Sequence, residues 1–144
     1  MPVPEWDPEL ARTIAESFER QGLMKTIGAA LIRVAAGEVD IELPFRDDLT
    51  QQNGLLHAGV LASIADTACG YAAQSLMPHG SDVVSIEFKL NLLAPARGER
   101  AVVRARVVRS GKTITVCRAD VFGGETLVAT MLATMMRRAG TTPA

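Results

Sequence analysis

Hydrophobic positions recur along this chain with two different periods, and the changes of period outline its elements. Leu10, Ile14 and Phe18 stand four residues apart, the spacing of one helix face. Asp7-Pro8 supplies a capping residue and a first helical residue, and Gly22 is placed to stop the helix after about Gln21. Residues 26–35 and 38–45 read as two strands joined at Ala36-Gly37. In the second strand Val39, Ile41 and Leu43 alternate with Glu38, Asp40 and Glu42, so one face is wet. Residues 46–56 form a polar loop with a turn signal at Asn53-Gly54. From His57 to about Met77 the chain is apolar nearly all round, which predicts a long buried helix. Pro78-His79-Gly80 breaks it. Four strands are predicted over 82–93, 99–109, 112–122 and 125–137. In the first, Val84, Ile86, Phe88, Leu90 and Leu92 share one face, and Ser85, Glu87, Lys89 and Asn91 the other. Ser110-Gly111 and Gly123-Gly124 mark tight hairpins.

Short hairpins make the last four strands antiparallel, and such a sheet buries one face. The partner for that face is the central helix, around which a twisted sheet curls. The expected class is therefore α+β, an antiparallel sheet wrapped around one long central helix, in a single domain over 1–144 with an N-terminal helix. The central helix is crowded with small residues, among them Ala58, Gly59, Ala62, Ser63, Ala65, Ala68 and Gly70. Each glycine costs a helix about 1 kcal/mol against alanine, so a close packing partner is expected.

Composition narrows the partners. Of the 144 residues 48% are apolar, enough for a real core, and no apolar run approaches a membrane span. The start, Met1 to Trp6, lacks the features of a signal peptide. Cys69 and Cys117 fall in apolar segments and read as core residues in a reducing cytoplasm. Two separated histidines, His57 and His79, do not make a metal site. Net charge is −1, which argues against nucleic acid. Residues 97–144 nevertheless carry nine Lys/Arg against three acids, a net +6. Their bland reading is a row of solvated strand faces; the sharper one is a patch for an anionic ligand.

Asp66 is the informative residue. It lies mid-helix among Ala62, Ser63, Ile64, Ala65, Ala68 and Cys69, with no Lys or Arg three or four residues away. A buried carboxylate without a partner is expensive. Asp66 therefore either faces a wet gap or bonds elsewhere in the fold, or does acid–base work, as acids in such settings often do. The helix start is the second feature. None of Gly54, Leu55, Leu56 or His57 is a strong capping residue, so the amides of Ala58 and Gly59 are expected to be free. They carry the positive end of the helix dipole and suit a developing oxyanion, unless Asn53 or water caps them. His57 and Asp66 are nine residues apart, roughly half a turn in direction and ~13 Å of rise. The two features serve one site only across a symmetric interface, each subunit completing the other's.

These residues resemble a known family. Gln51-Gln52-Asn53-Gly54-Leu55-Leu56-His57-Ala58-Gly59, followed by Asp66, is similar to the signature of PaaI-type hotdog thioesterases, and so is Val84 to Asn91 leading to Ala94-Pro95-Ala96. The resemblance covers roughly residues 22–138. It implies a hotdog fold, a homodimer often paired into a dimer of dimers, and hydrolysis of acyl-CoA thioesters without a cofactor beyond the CoA of the substrate. It assigns Asp66 as nucleophile or general base and Gln51 to the substrate carbonyl or the water. It gives the Ala58 amide, with Gly59 beside it, to carbonyl polarisation, and makes His57 the support of the helix-start loop. Ser85 is implied as an assisting hydroxyl, and the loop residues Asn53 and Gly54 as substrate contacts. Many members have Gly where Ala58 stands, so an extra methyl group narrows the site here. Arg109, Lys112 and Arg137 are candidate contacts for the CoA phosphates.

Each assignment has a plainer counterpart. His57 beside a helix start reads first as a local cap, Ser85 as a residue of the wet strand face, and Gln51 as one polar loop residue among several. Two other functions fit the same fold: a non-catalytic acyl-CoA binding protein, for which Asp66 has no purpose, and a hotdog hydratase or dehydratase, which needs a histidine and an acid in one pocket. The acyl group, aryl or medium-chain, is not encoded in the spacing of the six aromatic residues.

Overall fold

A computed structural model describes residues 8–140. Helix α1 (Pro8–Glu19) and the short α2 (Gly22–Ile27) precede two strands, β1 (Ala30–Ala35) and β2 (Glu38–Pro44). A single 3-10 turn, Asp47–Leu49, leads to the long helix α3 (Ala58–Gln74). Four strands follow: β3 (Ser81–Leu92), β4 (Arg100–Ser110), β5 (Ile114–Gly123) and β6 (Thr126–Ala139). All six strands form one antiparallel sheet in the order β1-β2-β4-β5-β6-β3. The α3 helix packs against every strand from β2 to β6, as the expected fold requires.

Alternation in the strands turns directly into burial. Val39, Ile41 and Leu43 of β2, Val103 of β4, Val121 of β5 and Met131 of β6 all point at α3 and are buried. Ala65, Ala68 and Ala72 on the helix meet a sheet face rich in Ala101, Ala105, Ala119 and Ala133. Small residues on both sides let the layers close at native packing density. The arginines of β4 and β5 take the outer face, as the bland reading held: Arg104 stacks over Phe122, and Arg106 and Arg118 flank Asp120. Cys69 and Cys117 are buried free thiols in the core.

The first segment departs from expectation. Gly22 does not stop a helix; α1 ends at Glu19, and Gly22 opens α2. Residues 26 and 27 are helical, so β1 begins at Ala30 and not at Thr26. The stop comes at Gly28, whose φ of 78° is left-handed, with its amide on Lys25 O and the Ala29 amide on Met24 O. Six residues are too few for a helical period to stand out from an alternating one. The Asp7 cap lies outside the described residues.

Ile14 and Phe18 are buried and hold α1 to the domain, with the Phe18 ring tilted against Tyr71 at 6.2 Å. That contact places the polar edge of α1 beside the middle of α3.

Candidate active site

The loop before α3 is built on itself. Gln51 Oε1 accepts from the amides of Asn53 (2.6 Å) and Leu55 (3.3 Å), and Gly54 adopts a φ of 79° that L side chains rarely take. A bridge between Thr50 and Leu56 closes the loop. The Gln51 carbonyl is therefore spent, and its NH₂ group is the end left for other work.

Here the expectation of two free amides is corrected. His57 is the residue at the helix boundary, extended at φ −63° and ψ 138°, and its Nδ1 accepts from the Gly59 amide at 2.7 Å. An imidazole does the work usually given to Ser, Thr, Asp or Asn. The bond requires Nδ1 to be unprotonated, and this bears out the plain reading of His57 as a cap. The Ala58 amide, by contrast, has no acceptor among the described residues. One donor, not two, is available at the positive end of α3. Gly59 is also required sterically, since a Cβ there meets His57 Nδ1 at 2.9 Å.

Asp66 is half-buried and opens into a cavity of about 220 Å³ between α1, α3 and β3. Ser85 Oγ donates to Asp66 Oδ1 at 2.6 Å, and Met135 Sδ lies 3.4 Å behind the same hydroxyl. Ser85 remains exposed, but it lies on the helix-facing side of β3 and not on the side that alternation assigned it. The β3–β6 register runs Ser85↔Met135 and then Glu87↔Thr134, so Ile86 is the extra residue of a bulge. A bulge reverses the alternation beyond it. Val83 and Ser85 thus share the inner face with Phe88, Leu90 and Leu92, while Val84 turns outward. A carboxylate that accepts from a hydroxyl is fixed in orientation without being neutralised, and Oδ2 stays available to a substrate or water.

Sequence spacing also missed the rest of the cavity wall. Gly70 and Gln74 continue the Asp66 stripe at four-residue steps, and Tyr71, Ser17 and Gln21 close the far side. The stripe was readable from the sequence; the arrival of α1 was not. Among the described residues the lining contains two acids, Asp66 and Asp82, and no Lys or Arg.

Within one protomer the candidates divide into two groups. Asp66 and Ser85 come together. Gln51, Asn53, Gly54, His57, Ala58 and Gly59 gather at the start of α3 and are absent from the Asp66 cavity. Ala58 and Asp66 are eight residues apart, roughly 12 Å along the axis. Of the basic candidates, Arg109 lines a separate groove with Arg106, and Lys112 sits in the β4–β5 hairpin. Arg137 donates through Nε to Ser81 Oγ at 2.9 Å, and its amide bonds Thr113 O of that hairpin. Arg137 also pairs with Val83 of the cavity wall. No group of three or more His, Cys, Asp or Glu side chains able to hold a metal occurs among the described residues.

Comparison with known proteins gives this geometry its family. The model of the thioesterase superfamily matches residues 53–130, a stretch that holds the start of α3, Asp66 and Ser85. Human acyl-coenzyme A thioesterase 13 is 30% identical over 112 residues, covering 76% of each chain. Among solved structures, a thioesterase family protein from Silicibacter pomeroyi is 44% identical with a TM-score of 0.88, over 91% of this chain and 99% of that one. The E. coli PaaI protein of the phenylacetic acid degradation operon shares the fold at 24% identity and a TM-score of 0.84, over 92% of this chain and 96% of its own. With its six-stranded hotdog sheet wrapped on α3, this chain belongs to the thioesterase superfamily.

Proposed function

We propose that this protein hydrolyses acyl-CoA thioesters as a homodimer, each site joining Asp66 and Ser85 of one protomer to the α3 start of the other. The observation that carries the reading is Asp66 itself: a carboxylate in an apolar helix, held by a hydroxyl and open to a cavity. The thioester carbonyl sits at the Ala58 amide, and the Gln51 NH₂ group donates to the carbonyl or the attacking water. Asp66 either takes a proton from that water or attacks the carbonyl carbon itself, forming a mixed anhydride that water then opens. In both routes the C–S bond breaks and CoA leaves as thiolate or thiol.

The edge of the sheet supports the dimer. The outermost strand β3 has one unpaired edge and exposes Ile86, Phe88 and Leu92. Proteins seldom leave a long apolar edge strand uncovered, and a two-fold axis beside β3 brings two α3 helices into the mutual relation the site needs. Pairing of dimers into tetramers extends the same reading. The CoA phosphates lie by Arg137, Lys112 and Arg109, since Arg137 adjoins both the cavity wall and the hairpin. We place the protein in the cytoplasm, which suits its free thiols, and among the described residues no helix is long and apolar enough to cross a membrane.

A hydratase reading is disfavoured by His57, whose Nδ1 caps the helix away from the Asp66 cavity. The test is release of free CoA thiol from a panel of aryl and medium-chain acyl-CoAs. Turnover of at least one member is expected. Tight binding of acyl-CoA with no thiol released from any member would replace the enzyme by a binding protein.

A further inference from the structure

The far end of the Asp66 cavity is more polar than a hydrocarbon site requires. Tyr71 is 95% buried on α3, yet its hydroxyl faces the cavity with two partners from the α1 side. Gln21 Nε2 donates to it at 2.9 Å, and Ser17 Oγ lies at 2.9 Å with either oxygen able to donate. A phenol oxygen has one proton and two lone pairs. Gln21 fills one lone pair. If Ser17 donates into the second, the Tyr71 proton is left over; if Tyr71 donates to Ser17, the Ser17 proton is left over. Either way one hydroxyl proton at this end takes no part in these two bonds. Gln21 Oε1 likewise accepts from no donor among the described residues. All three residues line the cavity, so it ends in one donor and one acceptor.

Gly70 points the same way by a separate route. It lies between Asp66 and Tyr71 on the cavity floor, and a Cβ there meets nothing within 4 Å. Packing inside the protomer therefore does not require glycine. A helical glycine costs stability, and what its missing side chain leaves here is space, at the step between the acid and the phenol.

We propose that Tyr71, Ser17 and Gln21 select the acyl group, favouring a compact, uncharged acyl chain whose far end carries a hydroxyl. The inference rests on the reading that Asp66 works at the thioester carbonyl. Five residues of helix separate Asp66 from Tyr71, roughly 7.5 Å of rise, which is the reach of an extended six-carbon chain. A cavity of roughly 150 Å³ holds one benzene ring, so about 220 Å³ suits a compact acyl group. Asp66 and Asp82 both line the cavity and no Lys or Arg does, which works against a terminal carboxylate. A hydroxyl both accepts the spare proton and donates to Gln21 Oε1; a methyl group leaves both unmet.

The test compares kcat/KM of the full-length protein for three thioesters of similar length: heptanoyl-CoA, 6-hydroxyhexanoyl-CoA and adipoyl-CoA, with acetyl-CoA as the short control. The wild type is expected to prefer the hydroxylated chain over heptanoyl by about tenfold, the scale of one hydrogen bond, and to use adipoyl-CoA least. Tyr71→Phe is expected to bring the hydroxyl-to-methyl ratio near one, and Gln21→Met gives the same readout should the first variant fold poorly. Because the readout is a ratio within each variant, a change in overall activity does not mask it. Gly70→Ala is expected to raise KM for the six-carbon chain relative to acetyl-CoA without lowering Tm. A wild type that uses heptanoyl-CoA as well as the hydroxylated chain, or variants that leave the ratio unchanged, overturns this inference alone. Release of CoA from none of the four, acetyl-CoA included, removes the thioesterase reading with it.

Discussion

Two polar side chains on the inner side of the sheet show what the fold tolerates at single positions. Asp66 is half-buried, bonded by Ser85 and open to a cavity. Thr115, two positions before Cys117 on β5, is fully buried, and its Oγ1 is the buried side-chain polar atom without a partner among the described residues. The first is bonded and open to the cavity; the second is a cost with no visible return. Burying an unbonded hydroxyl costs about 1–3 kcal/mol in proteins, and valine has nearly the same shape. Thr115→Val is therefore expected to raise the melting temperature by several degrees, read by calorimetry, with thioesterase activity kept. A lower melting temperature would contradict the burial argument. Cys69 and Cys117 are equally buried, and the neighbouring Cys117 thiol together with burial pushes the Cys69 thiol far above its ordinary pKa, which suits a core residue and not a reactive one.

At the scale of elements, the decisive feature is one residue in β3. The extra residue Ile86 brings Ser85 to the face that Asp66 occupies. Deletion of Ile86 restores plain alternation and turns Ser85 and Val83 to the outer face, while Phe88, Leu90 and Leu92 keep theirs. The variant is expected to keep its strand content by circular dichroism and lose Asp66 orientation, with kcat falling about tenfold or more, the scale of a lost charge-assisted bond. Unchanged kcat would show that Ser85 does not serve Asp66. This feature also marks where sequence reading stops. The long helix, the antiparallel strands and the weight of Asp66 followed from periodicity and from one acid among alanines. A bulge changes no residue type, so Ser85 looked like any residue of a wet face. Likewise α2 was too short to declare its period, and the capping role of His57 became visible only as a distance. Residues of α1 entered the cavity through a tertiary contact, Phe18 on Tyr71, that no local pattern encodes.

At the scale of the molecule, the two groups of candidate residues lie at different places on one protomer, and the proposal unites them across a dimer. That arrangement makes a prediction no single-chain site shares. Ala58→Pro removes the one amide donor at a position where proline suits a helix start and where His57 is already extended. Alone it is expected to lower activity by about 10²-fold or more, the cost of an oxyanion donor. Refolded together in equal amounts, Ala58→Pro and Asp66→Asn chains form heterodimers in which one site carries both lesions and the other neither, so roughly one quarter of wild-type activity returns. A mixture no more active than its parts would contradict the shared site. The most direct test of the central claim concerns Asp66 itself: kcat of the Asp66→Asn protein beside its affinity for CoA. The account predicts a fall of at least about 10²-fold in kcat with CoA affinity kept; an Asp66→Asn protein that still turns over at close to the wild-type rate would contradict it.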